Sequence, residues 1–263
     1  MIHDEWSIFA GSAHPSLAKA IARELGTPLS ASAVEHFPDG ELLVELQDSV
    51  RGHEVFLVQP TSPPVNDHLV ELLAFSDACR RAAAARVTAI IPYFGYARAD
   101  KRQGRRVPIT ASMVADLMQS VGIQQVVTLD LHAAQIEGFF SIPVESLSAR
   151  RALTEAVRPH LHPETVVVSP DTGRVPMATE YAHALGLPVV VLHKRRESGS
   201  ETVVTHVVGD VSGKACLIVD DMIATGGTLI RSIEALLAAG ARPDILIVAT
   251  HGLFVAPARE ALL

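Results

Sequence analysis

Short β-rich apolar runs alternate with longer stretches of helical period along this chain, and that alternation restricts its fold more than any other feature. Glu54–Gln59, Val87–Ile91, Gln125–Leu129, Thr165–Ser169, Pro188–Leu192, Ala215–Val219 and Ile245–Thr250 read as buried strands. Ser16–Leu25, Asn66–Ala85, Ala111–Val121, Val175–Leu185 and Thr228–Ala239 read as helices. Thr110 is expected to cap the third of these and Gly240 to close the last. Strands and helices in this order build parallel sheets from βαβ units. In two places a strand runs into a polar loop, IIPYFGYARAD and LIVDDMIATGG, which suggests two copies of one architecture. A boundary is expected near Val144–Pro159, where charged helix and proline turns break the pattern.

At 263 residues, 48% hydrophobic and 19% charged, the chain suits a packed fold of one large or two smaller domains and does not suit disorder. Its two cysteines, Cys79 and Cys216, lie far apart in apolar surroundings. That spacing offers neither a disulfide framework nor a zinc site, so both read as buried free thiols. No apolar run reaches the roughly 18–20 residues of a membrane span. The start, MIHDEWSIFAG, lacks the basic and apolar regions of a secretory signal. A cytoplasmic protein without a membrane partner is expected. A net charge of −7 opposes general nucleic-acid binding, yet basic residues cluster at Lys101–Arg106 and Lys194–Arg196. Compact basic clusters in an acidic chain point to small phosphorylated ligands.

The segment CLIVDDMIATGGTLIRSIEALLAAG carries the most chemistry. A buried strand ends in Asp220 and Asp221, a glycine turn follows, and a helix begins at Thr228. Ligands of parallel α/β sheets gather at the carboxyl ends of strands. Thr225, Gly226, Gly227 and Thr228 offer unobstructed N–H groups, two hydroxyls and the positive end of a helix dipole, which together cradle a phosphate. The carboxylates can accept hydrogen bonds from two neighbouring hydroxyls, or hold a metal through water. Alone, an acidic pair caps and a Gly-Gly turns; together with the strand and helix they suit a sugar phosphate, which carries both kinds of group.

At these residues the sequence resembles the type I phosphoribosyltransferase fold, whose ribose-phosphate loop is shared by phosphoribosyltransferases and ribose-phosphate pyrophosphokinases. Other segments resemble the pyrophosphokinases alone: HFPDGELLVEL, PYFGYARADKR, RVPITASMVADLM, DLHAAQIEGFFSIPVESL, SPD at Ser169–Asp171 and KRR at Lys194–Arg196. They stand in family order, from FAGSAHP to ATHGLF, over essentially the whole chain. The resemblance implies an α/β protein of two similar phosphoribosyltransferase-like domains, residues 1–147 and 148–263, each a mostly parallel sheet flanked by helices. It implies transfer of the β,γ-pyrophosphoryl group of MgATP to ribose 5-phosphate, giving phosphoribosyl pyrophosphate and AMP. Phe37, Asp39, Glu41, Arg98, Ala99 and Asp100 would meet ATP. Asp220, Asp221, Ala224, Thr225, Gly226, Gly227, Thr228 and Arg196 would hold ribose 5-phosphate. His132 would contact the Mg²⁺ carried on ATP, Asp171 would lie near a second Mg²⁺ or the ribose, and Lys194 and Arg196 would be catalytic, on a segment made mobile by Glu197–Glu201. A homo-oligomer built from dimers, a hexamer by the family's pattern, is also implied.

The chain departs from that pattern in several places. Ala224 stands where many members carry Asp, and Ala99 replaces the Gln of YARQD. SPDTGRVP replaces SPDxGG, which leaves Arg174 either filling phosphate space or pointing to solvent. The loop KRQGRRVP lacks the family's Ser, which puts a phosphate or ADP regulatory site in doubt. The family continues for a further strand, loop and helix beyond ATHGLF, so the C-terminal domain is expected to be truncated or a short variant. Two other functions remain open on sequence grounds: a catalytically impaired regulatory relative, and a phosphoribosyltransferase acting on a nucleobase.

Overall fold

The computed structural model describes residues 6–102, 104–198, 201–256 and 258–262, with the side chains of 194–198, 201–205 and 261–262 excepted. The chain divides into two compact units, Met1–Leu147 and Ser148–Leu263.

The first unit contains β1 (Trp6–Ala10), α1 (Pro15–Glu24), β2 (Ser32–His36), β3 (Leu42–Leu46), β4 (Glu54–Val58) and α2 (Val65–Arg81). β5 (Arg86–Ile91), α3 (Thr110–Ser120), β6 (Gln125–Leu129) and β7 (Val144–Leu147) complete it. Its sheet runs β1-β4-β5-β6-β7, all neighbours parallel, so every strand after β1 is added at the same growing edge. β2 and β3 form a separate antiparallel ribbon. Side chains alternate across a strand, and the core sorts accordingly. Ile8 and Val58 pack on Ala18 and Ala22 of α1, whereas Phe9, Val55 and Leu57 belong with Leu72 and Phe75 of α2. Each large apolar side chain fully buried this way contributes about 1.5–3 kcal/mol.

The second unit contains α4 (Arg150–Val157), β8 (Thr165–Ser169), α5 (Val175–Leu185), β9 (Val189–Ser198) and β10 (Glu201–Val208). β11 (Ala215–Ile223), α6 (Gly227–Ala238), β12 (Ile245–Gly252) and α7 (Ala258–Leu262) follow. The order is β10-β9-β8-β11-β12, parallel except for β9 against β10. β8 is buried at all five positions, as a central strand covered on both faces must be. Val167, Leu217 and Val219 face α5, while Val166, Val168 and Ile218 pack with Leu229 and Leu236 of α6. Here β9 is laid on one side of β8 and β11 on the other, so the strand order reverses at β8.

Two local expectations are corrected. Thr110 is not the cap of α3 but its first residue; Ile109 occupies the cap position and makes no side-chain bond. The first-turn N–H of Ala111 goes instead to Ala99 O, at 3.3 Å. The strand expected to end at Leu192 continues to Ser198, because β10, a strand that the periodicity left unread, pairs along it.

Candidate active site

The strand order of the second sheet reverses at β8, and the carboxyl edge at such a reversal is where open α/β sheets take ligands. Asp171 leaves the end of β8 and folds back as a cap, its Oδ1 accepting from the N–H groups of Gly173 at 2.9 Å and Arg174 at 3.2 Å. This sets a single 3₁₀ turn, Thr172–Arg174, immediately before α5.

Arg174 does not point to solvent but turns toward the acidic pair of β11. Its Nη2 lies 3.0 Å from Asp221 Oδ1 and its Nε 3.4 Å from Asp220 Oδ1. Adjacent strand residues face opposite sides of a sheet, yet these two carboxylates converge on one guanidinium. Asp220 turns over its own backbone to do so, accepting Asp221 N–H at 2.9 Å. Both are shielded: the Asp220 and Asp221 side chains are 12% and 2% exposed, that of Arg174 18%. Burial, reinforced by the neighbouring Asp221 carboxyl, pushes Asp220 up to about 7 against the opposing pull of Arg174.

Ala224, Thr225, Gly226, Gly227 and Thr228 run from β11 into α6. Gly226 has φ 76°, in the left-handed region that glycine adopts without strain, and no side chain caps the helix it starts. The first-turn N–H groups of such a helix have no intrahelical acceptor, and its dipole favours an anion beside them. The segment after β12 clips this loop in place. Leu253 and Phe254 N–H donate to Ile223 O at 2.9 and 3.2 Å, and Val255 N–H donates to Ala224 O at 3.1 Å.

Lys194 and Arg196 lie within β9 rather than just after it. The last residue of β9 paired with β8 is Val191, opposite Ser169, and the strand then continues against β10 with Lys194 opposite Val204 and Arg196 opposite Thr202. The two share a strand parity; their side chains lie outside the described residues, as do Gly199 and Ser200 of the segment expected to be mobile.

In the first unit, Arg98, Ala99 and Asp100 follow β5. Gly95 packs so closely that an added Cβ would sit 2.7 Å from Thr61 O, and its N–H donates to Thr61 Oγ1 at 2.6 Å. This contact seats the loop against the end of β4. Arg98 and Ala99 border a cavity of about 690 Å³ with Tyr93, Tyr96, Asn66 and Lys101. Asp100 is buried and accepts a hydrogen bond from Gln135 Nε2, which ties this loop to the Ala134–Phe139 turn just past half-buried His132. Phe37, Asp39 and Glu41 lie at the exposed turn of the β2–β3 ribbon, with Phe37 38% exposed. Sequence reasoning missed Gln135 and Asn66, since neither has a partner nearby along the chain. It singled out Arg174 without its partners, although the match of a two-pronged cation to an Asp-Asp pair was a usable signal.

Residues 6–122 match the family model for the N-terminal domain of ribose phosphate pyrophosphokinase, and residues 148–261 match the phosphoribosyl transferase domain. The chain is 45% identical over 257 residues to the ribose-phosphate pyrophosphokinase of Wolinella succinogenes, spanning 98% of this chain and 83% of that protein. It is 46% identical over 246 residues to the protein of the same name from Bradyrhizobium diazoefficiens, spanning 93% and 77%. The crystal structure of phosphoribosylpyrophosphate synthetase from Mycobacterium smegmatis matches with a TM-score of 0.90 at 42% identity, over 98% of this chain and 85% of that one.

Proposed function

The chain belongs to the ribose-phosphate pyrophosphokinase family, and from that premise we propose how its residues carry a pyrophosphoryl group from ATP to the 1-hydroxyl of ribose 5-phosphate. The products are AMP and phosphoribosyl pyrophosphate, the activated sugar of nucleotide biosynthesis. One observation supports the assignment most: the converged Asp220–Asp221 pair beside the uncapped start of α6, at the strand-order reversal. In this reading the carboxylates accept hydrogen bonds from the sugar's adjacent hydroxyls. Backbone groups of Ala224–Thr228 and the two threonine hydroxyls take the 5-phosphate. Residues 148–263 are thus the ribose 5-phosphate domain, with Arg196 among the groups that hold the sugar phosphate.

Residues 1–147 supply the nucleotide side, through Arg98, Ala99 and Asp100 and through the ribbon turn with Phe37, Asp39 and Glu41. Ala99 contributes backbone alone. The anomeric hydroxyl attacks the β-phosphorus, the bond from that phosphorus to the AMP oxygen breaks, and AMP leaves with the electron pair. Lys194 and Arg196 stabilise charge on the β-phosphoryl oxygens and the departing AMP.

The donor set suits Mg²⁺ delivered on the nucleotide. Among the described residues no group of three His, Cys, Asp or Glu could cage a metal, and Mg²⁺ favours phosphate oxygens and keeps several waters. His132 would hold the Mg²⁺ carried on ATP and Asp171 would lie near a second metal or the ribose; bound Mg²⁺ would draw charge from the transferred group. We also propose a dimer-based homo-oligomer, hexameric by the family's pattern, with the exposed ribbon turn completing a neighbour's ATP site. A cytoplasmic location agrees with the two buried free thiols and with phosphorylated substrates; among the described residues no helix is long and apolar enough to cross a membrane.

Incubation with ATP, Mg²⁺ and ribose 5-phosphate should yield AMP and phosphoribosyl pyrophosphate in equal amounts. Absence of AMP would sink the assignment in favour of a regulatory relative. Consumption of added phosphoribosyl pyrophosphate with a nucleobase would replace it with a transferase.

A further inference from the structure

The convergence of Asp220 and Asp221 needs a cause, since a strand turns adjacent side chains apart. The ion pairs with Arg174 supply one: separate nitrogens of a single guanidinium meet Oδ1 of Asp221 at 3.0 Å and Oδ1 of Asp220 at 3.4 Å. The base of that side chain is fixed, because Asp171 caps the turn on which it stands and α5 begins at the next residue. Its tip is largely enclosed, at 18% exposure. A planar fork can bridge two acceptors in this way, whereas an ammonium on a flexible stem meets them as a point charge.

We propose that Arg174 is a positioning residue through which the acidic pair recognises the sugar: its fork holds Asp220 and Asp221 converged to accept hydrogen bonds from the adjacent 2- and 3-hydroxyls of ribose 5-phosphate. The proposal rests on the ribose 5-phosphate reading of this loop and adds to it the source of discrimination between ribose and deoxyribose. Each carboxylate offers about four lone-pair sites, so a bond to Arg174 leaves capacity for a sugar hydroxyl. The 5-phosphate, held by the start of α6, does not depend on this arrangement. Arg174 therefore acts on the diol and leaves the phosphate contacts as they are.

The test is calorimetric titration of the full chain, without nucleotide or metal, with ribose 5-phosphate, 2-deoxyribose 5-phosphate and inorganic phosphate. Wild type should prefer ribose 5-phosphate over the deoxy sugar. Arg174→Ala should lose about tenfold in affinity for ribose 5-phosphate, the scale of charge-assisted hydrogen bonds lost, with a smaller loss for the deoxy sugar, which keeps the 3-hydroxyl, and little change for inorganic phosphate. Arg174→Lys, which restores the charge without the fork, should fall between them. In turnover, Arg174→Ala should raise KM for ribose 5-phosphate more than it lowers kcat. If the alanine variant does not fold, the lysine and Arg174→Gln variants carry the same comparison. An unchanged ribose-to-deoxyribose ratio overturns the proposal, as does tighter ribose 5-phosphate binding, which would make Arg174 a plug. A wild type with no preference for ribose 5-phosphate over phosphate defeats the ribose reading itself, whatever Arg174 does.

Discussion

Asp220 holds its proton far above the usual carboxylate range, and that has a sign for stability. Its folded value is about 7 against an ordinary 3.8, so between those values the folded chain keeps a proton that the unfolded chain has lost. Stability then falls as pH rises through that window. Asp220→Asn cannot titrate. The thermal midpoint of wild type relative to this variant should therefore drop between pH 4 and pH 8, and parallel profiles would exclude the shift. Gly95 has a steric counterpart. An alanine Cβ there would lie 2.7 Å from a backbone oxygen, an overpacking that typically costs about 1–3 kcal/mol. Gly95→Ala should lower the melting temperature and weaken ATP binding while ribose 5-phosphate affinity holds. At this scale the acidic pair and the Gly-Gly turn were legible in the sequence because both are contiguous. The partner of Arg174 was not, because Asp220 and Asp221 come from a strand that meets β8 only across the sheet. The bond between Gln135 and Asp100 was hidden in the same way.

Among the elements, the extension of β9 beyond β8 carries the two cations to which the proposed mechanism gives the catalytic role. The longer helices and the inner strands were legible from their periods; β1, β2, β3, β7 and β10 were not. β10 reads ETVVTHVV, with its valines in adjacent pairs rather than at every second position, so the alternating signal of a strand was weak. On the ribbon of β9 and β10, Lys194 and Arg196 share a parity. Lys194→Ala should cut turnover by about 10²–10³-fold, the usual effect of losing one donor to a transition-state charge, and leave ribose 5-phosphate binding largely intact. Parity offers a stricter check, since strand side chains alternate with a period of two. One residue inserted after Leu192 should abolish turnover by turning both cations to the other face. Two inserted residues should restore part of it. Equal loss from both insertions would mean that the ribbon's phase is irrelevant.

Across the whole molecule, the ribbon turn with Phe37 is expected to serve a neighbouring copy. The native mass should then be a multiple of the 28.1 kDa chain, by light scattering on a sizing column. Phe37→Ala should raise KM for ATP without changing ribose 5-phosphate affinity. A catalytically competent monomer would contradict the shared site. The units also differ in how their sheets can be assembled in time. In the first, each new strand docks on the edge left by the one before, so order can spread in one direction as the chain emerges from the ribosome. In the second, β8 must wait with one flank bare while β9 and β10 settle on the other, and β11 closes that flank afterwards. The acidic pair rides on this late strand. Pulse-labelled hydrogen exchange on ribosome-bound chains of increasing length should find the amides of β11 among the last in their unit to be protected, so the proposed sugar site would be completed only when the fold is nearly finished.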